Sequence, residues 1–115
     1  MLTDIAEERL EEVRRNLSER FKPDMVRACV ADVGDEAAIT ASFAACIEAF
    51  GGVDILVANA GNAAASSSTE TSRDLGQARG RVLSEGYFLA SREAFRAMKA
   101  LGGSIVFVVS NNALA

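Results

Sequence analysis

The stretch Val53–Ala58 restricts the fold of this chain more than any other feature of its sequence. It is mostly apolar, and its apolar residues do not alternate with polar ones. A strand of this kind is covered on both faces, which is typical of a parallel sheet lying between helices. The run stops at Asn59-Ala60-Gly61, where small and polar residues replace bulky ones. We therefore expect a buried strand whose carboxyl end lies beside a ligand.

Helices and strands are expected to alternate along the whole chain. Apolar residues at intervals of three and four predict helices over residues 6–21, from about Glu36 to Phe50, and from roughly Asp74 or Val82 to Ala100. Short β-prone runs follow the first and third of these helices, at Val26–Val30 and Ser104–Val109. This order predicts an α/β fold, a partial Rossmann-like (doubly wound) parallel sheet in three α/β/α layers. A chain of 115 residues forms one domain at most.

The helical patterns also predict helix ends and core-facing side chains. Asp35 or Gly34 is expected to cap the second helix, and glycine pairs end the second and third helices. Glu11 and Arg15 lie one turn apart and are expected to pair. The inward faces are expected to carry Ile39, Phe43, Cys46, Ile47 and Phe50 in the second helix, and Tyr87, Ser91, Ala94, Met98 and Leu101 in the third.

Composition and charge exclude several classes of function. The net charge is −4 and no stripe of basic residues is present, so nucleic acid and anionic membranes are not expected as partners. The apolar runs are too short to span a bilayer, and the acidic amino end is not a secretory signal. Two isolated cysteines in apolar stretches indicate a reduced, cytoplasmic protein. Because the chain has no histidine and no close cysteine pair, we expect no metal site and no Ser-His-Asp triad.

Four segments, in order, resemble the short-chain dehydrogenase/reductase family over nearly the whole chain. "LTDI" is similar to the end of the family's second strand and "ACVADVGDEAAI" to its third. "VDILVANAG" resembles the fourth strand with its Asn-Ala-Gly motif, and "GGSIVFVVSNNALA" resembles the fifth. The chain looks most similar to the dehydrogenase half of bifunctional rhamnulose-phosphate aldolase/lactaldehyde dehydrogenases. Residues 1–115 are therefore expected to form an incomplete NAD(P)-binding domain, from the end of the second strand through the fifth.

The resemblance implies a role for one residue or motif at each strand end. Asp4 would hold the adenosine ribose hydroxyls and favour NAD over NADP. Asp32, followed by Val33, would contact the adenine. The motif Asn59, Ala60 and Gly61 would line the cofactor groove, and Gly61 would let a flat ligand approach the backbone. Ser110 would orient the substrate carbonyl as the catalytic residue of this set.

The sequence also departs from the family pattern. The family's glycine-rich turn precedes its second strand, and its Tyr-x-x-x-Lys motif would follow Ala115. Tyr87 is the only tyrosine, and Ser91 rather than lysine lies four residues after it. Leu83 stands where the family usually carries a catalytic asparagine. Without a group of suitable pKa near Ser110, the 115 residues alone are expected to be inactive.

Each candidate residue also has a purely structural interpretation. Asp4 is equally explained as a helix N-cap that forms a capping box with Glu7, and Asp32 as a cap or the start of a turn. Asn59 could tie neighbouring backbone together, and it and Gly61 are common turn residues after a strand. Ser110 could simply end its strand. Four aromatic and methionine residues of the third helix are expected in the core or on an oligomer face rather than in a substrate pocket: Tyr87, Phe88, Phe95 and Met98.

Two functional hypotheses follow, with a third ranked last. The first is a fragment of an NAD-dependent oxidoreductase acting on a small hydroxy or keto compound, with lactaldehyde implied by the resemblance. The second is a non-catalytic Rossmann-like remnant that acts through protein association.

In the order 3-2-1-4-5-6 the family's third and fourth strands are not neighbours, which leaves a hole beside Val26–Val30. A homo-oligomer or a complementing chain is therefore expected. A flavodoxin-like or receiver-type module would need a phosphate loop or an acidic cluster, and neither is present.

Overall fold

Helices and strands alternate in the order that the sequence predicts. The computed structural model describes residues 1–61 and 73–108. The partial Rossmann-like α/β fold is confirmed, and "LTDI" contributes a strand of its own. The elements are β1 (Leu2–Asp4), α1 (Glu7–Arg20), a 3-10 helix (Pro23–Met25), β2 (Ala28–Val30), α2 (Glu36–Phe50), β3 (Ile55–Ala58), α3 (Arg73–Met98) and β4 (Ser104–Phe107).

The four strands form two separate parallel pairs. β1 pairs with β2, with Asp4 opposite Val30, and β3 pairs with β4, with Ala58 opposite Phe107. No pairing joins the two sheets among the described residues. In the doubly wound order, the missing neighbour is the central strand between β1 and β3. The expected hole is therefore present, but it lies beside β1 rather than beside Val26–Val30, because Leu2–Asp4 occupies the position next to β2.

Side-chain and backbone caps fix both ends of α2. The Asp35 carboxylate accepts hydrogen bonds from the N–H groups of Ala37 (2.9 Å) and Ala38 (3.3 Å), so Asp35 is the N-cap. Gly51 has φ 84°, a left-handed conformation that glycine adopts without strain, and its N–H bonds the carbonyl of Ile47. These two signals explain why the predicted bounds of α2, Glu36 to Phe50, agree with the structure.

The core is small and lies where the helices cover the sheets. α1 packs on β1 and β2, α2 packs on β2 and α3, and α3 also covers β3 and β4. Ala94 is fully buried in α3. The other buried apolar residues are Leu10, Val26, Ala31, Ile39, Ala58, Leu89, Ala90 and Met98.

Five predicted core positions are wrong. Ile55 and Val57, expected in a strand covered on both faces, are 66% and 57% exposed, so β3 is covered on one face only by the described residues. Ile47 and Phe50 of α2 are 42% and 41% exposed, and Leu101 is 94% exposed. α2 connects β2 to β3, which lie in separate sheets, and no strand of the described residues lies between them for the carboxyl-terminal half of α2 to cover. Leu101 lies beyond the end of α3, in the turn before Gly102 (φ 78°). Phe88 and Phe95 are also exposed, so only Tyr87 and Met98 of the aromatic and methionine set pack inward.

Ion pairs join α3 to α2. Arg92 donates to Glu36 of α2 at 2.6 Å and to Glu93 at 3.1 Å, and Arg96 donates to Glu93 at 2.7 Å. Glu93 is buried, so the two guanidinium groups offset the cost of removing its charge from water. The hydrogen bond to Glu36 raises the pKa of Arg92 above its usual value.

The predicted pairing of Glu11 with Arg15 is wrong, because Glu11 accepts two hydrogen bonds from Arg14 instead, at 2.6 and 2.7 Å. The two residues are three positions apart, a spacing at which helical side chains meet as readily as at four. The Arg14 hydrogen bonds hold the pKa of Glu11 below its usual value. The pair is exposed, so we assign it no more than a small part in stability.

Candidate functional site

Asp4 ends β1 with its carboxylate held against the backbone. Its Oδ1 accepts the N–H of Ala6 at 2.8 Å, which forms a tight turn between β1 and α1. Ala6 is the N-cap residue of α1, so Asp4 is not the N-cap and the proposed capping box with Glu7 is wrong. Asp4 is the last residue of β1, and the chain turns through Ile5 and Ala6 before α1 begins at Glu7. The residue is exposed, and its Oδ2 has no partner in the described part of the chain, so this oxygen is available to a hydroxyl donor.

Asp32 forms a similar turn after β2. Its Oδ1 accepts the N–H of Gly34 at 2.8 Å, and its carbonyl accepts the N–H of Asp35 at 3.0 Å. The turn interpretation is confirmed, and the helix-cap interpretation is wrong because Asp35 caps α2. The Asp4 carbonyl accepts the N–H of Ala31 at 3.1 Å, which brings the ends of β1 and β2 together.

The register of β1 and β2 places the two carboxylates at one edge. Asp4 lies opposite Val30, two residues before Asp32. From the usual rise along a strand and the spacing between strands, the two Cα atoms are on the order of 8 Å apart. Both side chains are exposed. A ligand with several hydroxyl or amino donors could therefore bridge them.

The Asn59-Ala60-Gly61 segment leaves the sheet after β3 and is exposed. The Asn59 side chain has no hydrogen-bond partner within the described residues, so the expected tie to neighbouring backbone is not formed there. Gly61 does not have a positive φ, and a Cβ atom added to it would lie 3.8 Å from Leu83, an ordinary contact. Neither backbone conformation nor crowding within the described part therefore requires glycine, and its role in admitting a ligand stays a prediction.

One turn of α3 contacts the segments that follow β2, β3 and β4. Leu83 borders Gly61, and Gly86 lies so close to Val33 that an added Cβ would be 2.9 Å from the valine Cγ2. Tyr87 donates a hydrogen bond from its hydroxyl to the Val108 carbonyl at 2.9 Å. Its ring also packs on Phe107, with the centroids 5.3 Å apart. This turn fixes the position of the strand ends relative to one another.

Sequence reasoning missed the roles of Gly86 and Tyr87. A glycine inside a helix costs about 1 kcal/mol relative to alanine, so its presence signals close packing against another element. That signal was available at Gly86, but it does not identify Val33 as the neighbour.

Ser110 lies outside the described residues, and Val108 is the last described residue before it.

The described ends of β1, β2 and β3 carry negative charge and no basic side chain. Asp4, Asp32 and Asp35 are acidic, and residues 59–61 are uncharged. Such a surface suits the hydroxyl donors of a ribose or the amino group of an adenine, whereas a pyrophosphate would be repelled.

Within residues 1–61 and 73–108, no group of three His, Cys, Asp or Glu side chains could hold a metal. None of the described helices combines the length and apolar composition that a membrane crossing requires.

Comparisons with known proteins agree with this geometry. The family model of short chain dehydrogenases matches residues 1–115. The chain is 35% identical over 116 residues to an uncharacterized oxidoreductase, YuxG, of Bacillus subtilis, and this match covers 99% of the chain. A short chain oxidoreductase from Pseudomonas aeruginosa, described as containing an atypical catalytic center, superposes on 97% of the chain with a TM-score of 0.85 and 26% identity. A glucose/ribitol dehydrogenase from Brucella melitensis superposes on 98% with a TM-score of 0.78 and 25% identity.

The chain spans only part of each of these relatives. It corresponds to 43% of the Pseudomonas protein and 46% of the Brucella protein. It corresponds to 17% of YuxG, which is thus a considerably longer protein than the two solved relatives.

Proposed function

Because the chain belongs to the short-chain dehydrogenase family, we propose that it forms the adenosine side of an NAD site in an oxidoreductase. Two exposed carboxylates carry this proposal: Asp4 and Asp32, each held in a turn at the end of one of two paired strands. Each uses one oxygen to fix its own backbone turn, so the carboxylate is oriented before a ligand arrives. When bound, the nicotinamide would supply the hydride acceptor for a hydroxyl compound.

We assign different parts of the adenosine to the two carboxylates. Asp4 would accept hydrogen bonds from the ribose hydroxyls, and Asp32 with Val33 would contact the adenine. An additional phosphate on the ribose would bring like charges together at Asp4, which favours NAD over NADP. Residues 59–61 would form the wall against which the cofactor lies.

The substrate class we propose is a small hydroxy or keto compound such as lactaldehyde. Ser110 would donate a hydrogen bond to the reacting oxygen, since a lone serine with no adjacent base is not an activated nucleophile. The length of YuxG is consistent with a dehydrogenase joined to a further domain, as in the bifunctional aldolase/lactaldehyde dehydrogenases. The exposed acidic surface and the two free cysteines are consistent with a cytoplasmic location.

The 115 residues by themselves are expected to show no turnover. Hydride transfer from a hydroxyl compound requires a group that removes the hydroxyl proton, and these 115 residues contain no Tyr-x-x-x-Lys motif, which supplies that group in the family. Purified chain incubated with NAD and lactaldehyde should produce no absorbance of NADH at 340 nm. Steady NADH production would contradict this part of the proposal.

A non-catalytic role through association is the second candidate. It is favoured by large apolar side chains that remain exposed, among them Ile55, Val57 and Phe95. Ile55 and Val57 lie two residues apart in β3, and exposed apolar patches are typical of surfaces that bind a partner.

Cofactor binding is best tested with variants that keep the turns but remove the charge. Asp4→Asn and Asp32→Asn retain an oxygen that accepts the hydrogen bonds of Ala6 and Gly34. Each should weaken NAD binding roughly tenfold, the effect of losing a hydrogen bond to a charged group. Asp24→Asn, an exposed acid in the 3-10 helix, is the matched control and should leave binding unchanged. Saturation-transfer NMR measures the affinities. Equal affinities in all four proteins would refute the assignment.

A further inference from the structure

We propose that Arg92 of α3 is a positioning residue for the adenine side of the NAD site. It acts through Glu36 and holds the turn that contains Asp32 and Val33 in place relative to residues 59–61. This inference rests on the proposed function, because it adds a residue to the support of the same site. Arg92 itself is not placed in contact with the cofactor.

The turn between β2 and α2 is fixed internally, but its place in the molecule depends on other elements. Within it, Asp32 accepts the N–H of Gly34, and Asp35 caps α2. β2 and β3 lie in separate sheets of the described part, so no main-chain pairing there sets the distance between Asp32 and Asn59. A cofactor that touches both segments binds best when that distance is set before it arrives.

α3 is the helix that contacts both segments. Leu83 borders Gly61 after β3, and Gly86 packs against Val33 within the turn. Both are van der Waals contacts, and apolar packing of this kind is non-directional. A charged hydrogen bond, by contrast, restricts both the distance and the direction between its partners.

Arg92 forms such a bond to the first residue of α2. Its guanidinium donates to the Glu36 carboxylate at 2.6 Å, and Glu36 directly follows the capping Asp35. The bond therefore joins the middle of α3 to the end of α2 that continues the adenine-side turn. Loss of the bond leaves the turn intact but frees it to move relative to α3.

The Arg92 side chain is ordered by two further contacts. Its Nε donates to Glu93 at 3.1 Å, and its guanidinium lies over the ring of Phe88, 5.9 Å from the centroid. Glu93 is buried. Exposed ion pairs contribute little when two flexible side chains must both be ordered to form them. Because Glu93 and Phe88 already restrict Arg92, its bond to Glu36 costs less conformational entropy than an isolated surface pair would.

Arg96 provides the matched control for Arg92. It lies in the same helix, and within the described residues its ion pair is with Glu93, at 2.7 Å. Arg92→Met and Arg96→Met therefore each remove one guanidinium from Glu93, but only Arg92→Met removes the bond to α2. Glu36→Gln breaks that ion pair from the other side and leaves the pair of Arg92 with Glu93 in place.

The test is NAD binding by the full chain, measured by NMR titration of the amides of residues 32–34. Arg92→Met and Glu36→Gln should each weaken binding about two- to fivefold, the contribution of one well-ordered surface ion pair. The double variant should bind no more weakly than either single variant, because both changes remove the same interaction. Arg96→Met should leave the affinity unchanged. Arg92→Lys should restore part of it, since lysine keeps the charge but not the planar fork that reaches two carboxylates.

A second readout does not require NAD. Relaxation of ¹⁵N in the ligand-free chain measures amide order parameters on the picosecond to nanosecond timescale. Arg92→Met should lower the order parameters of residues 33–36, whereas Arg96→Met should not. Circular dichroism checks that both variants are folded.

Two results would overturn the role of Arg92 and leave the proposed function standing. One is an equal loss of affinity in Arg92→Met and Arg96→Met, since an effect on Glu93 would then explain both. The other is an unchanged affinity in Arg92→Met while the unmodified chain binds NAD at residues 32–34. If the unmodified chain does not bind NAD at millimolar concentration, the proposed function is refuted, and the positioning role is refuted with it.

Discussion

Gly86→Ala tests whether α3 positions the end of β2. At a solvent-exposed position inside a helix, replacement of glycine by alanine stabilises the folded protein by about 1 kcal/mol. At Gly86 the new Cβ would lie 2.9 Å from Val33 Cγ2, 3.0 Å from its Cβ and 3.3 Å from its carbonyl oxygen. A change of the Val33 rotamer would relieve only the first contact, because the other two atoms belong to the backbone or are attached to it. Forcing an extra carbon into a packed site costs about 1–3 kcal/mol, so Gly86→Ala should be destabilising by about 0–2 kcal/mol.

Gly80→Ala is the matched control, because Gly80 lies in the same helix with nothing within 4 Å of an added Cβ. It should stabilise the chain by about 1 kcal/mol, which places the two variants about 1–3 kcal/mol apart. Urea unfolding followed by circular dichroism at 222 nm measures the free energy of unfolding of both variants. The comparison requires that the dependence of this free energy on urea concentration, the m-value, is the same for both. If Gly86→Ala stabilises as much as Gly80→Ala, the close contact between α3 and Val33 is refuted.

Substitutions at three further positions test individual contacts. Tyr87→Phe removes the hydrogen bond to the Val108 carbonyl and should lower the free energy of unfolding by about 0.5–1.5 kcal/mol, measured in urea. Asp35→Ala removes the N-cap of α2 and should cost about 1 kcal/mol, whereas Asp35→Ser should retain most of the stability. Gly61→Ala should leave the melting temperature unchanged, since its Cβ fits beside Leu83, but should weaken NAD binding if the cofactor lies against this backbone. An unchanged NAD affinity would remove Gly61 from the site.

Local signals explain why part of the fold could be predicted. α2 has a capping aspartate before it and a left-handed glycine after it, and both act within a few residues of the helix ends. The sequence allows α3 to start at either Asp74 or Val82, because residues 75–82 are rich in glycine and polar residues. The structure begins it at Arg73, which favours the earlier of the two.

Other features depend on contacts between distant segments and could not be predicted from local pattern. Ile47 and Phe50 have the spacing of core residues, yet they remain half-exposed because the strand that would cover them is not among the described residues. The contact between Gly86 and Val33 joins residues that the periodicity of α3 cannot connect.

The carboxylates at the strand ends were identified through the family resemblance. The structure adds the turns that hold them, which involve only neighbouring backbone N–H groups. The assignment of Asp4 as a helix cap failed because the helix begins two residues later than that assignment required.

The central claim is that the ends of β1, β2 and β3 bind the adenosine half of NAD. The most direct measurement is an NMR titration of ¹⁵N-labelled chain with NAD, carried to millimolar concentration because a site without the glycine-rich turn is expected to be weak. We predict saturable shifts in the amides of residues 4–6, 32–34 and 59–61, with smaller shifts for the same concentration of NADP. Shifts that are centred on the exposed face of α3, or no shifts at any concentration, would contradict the account.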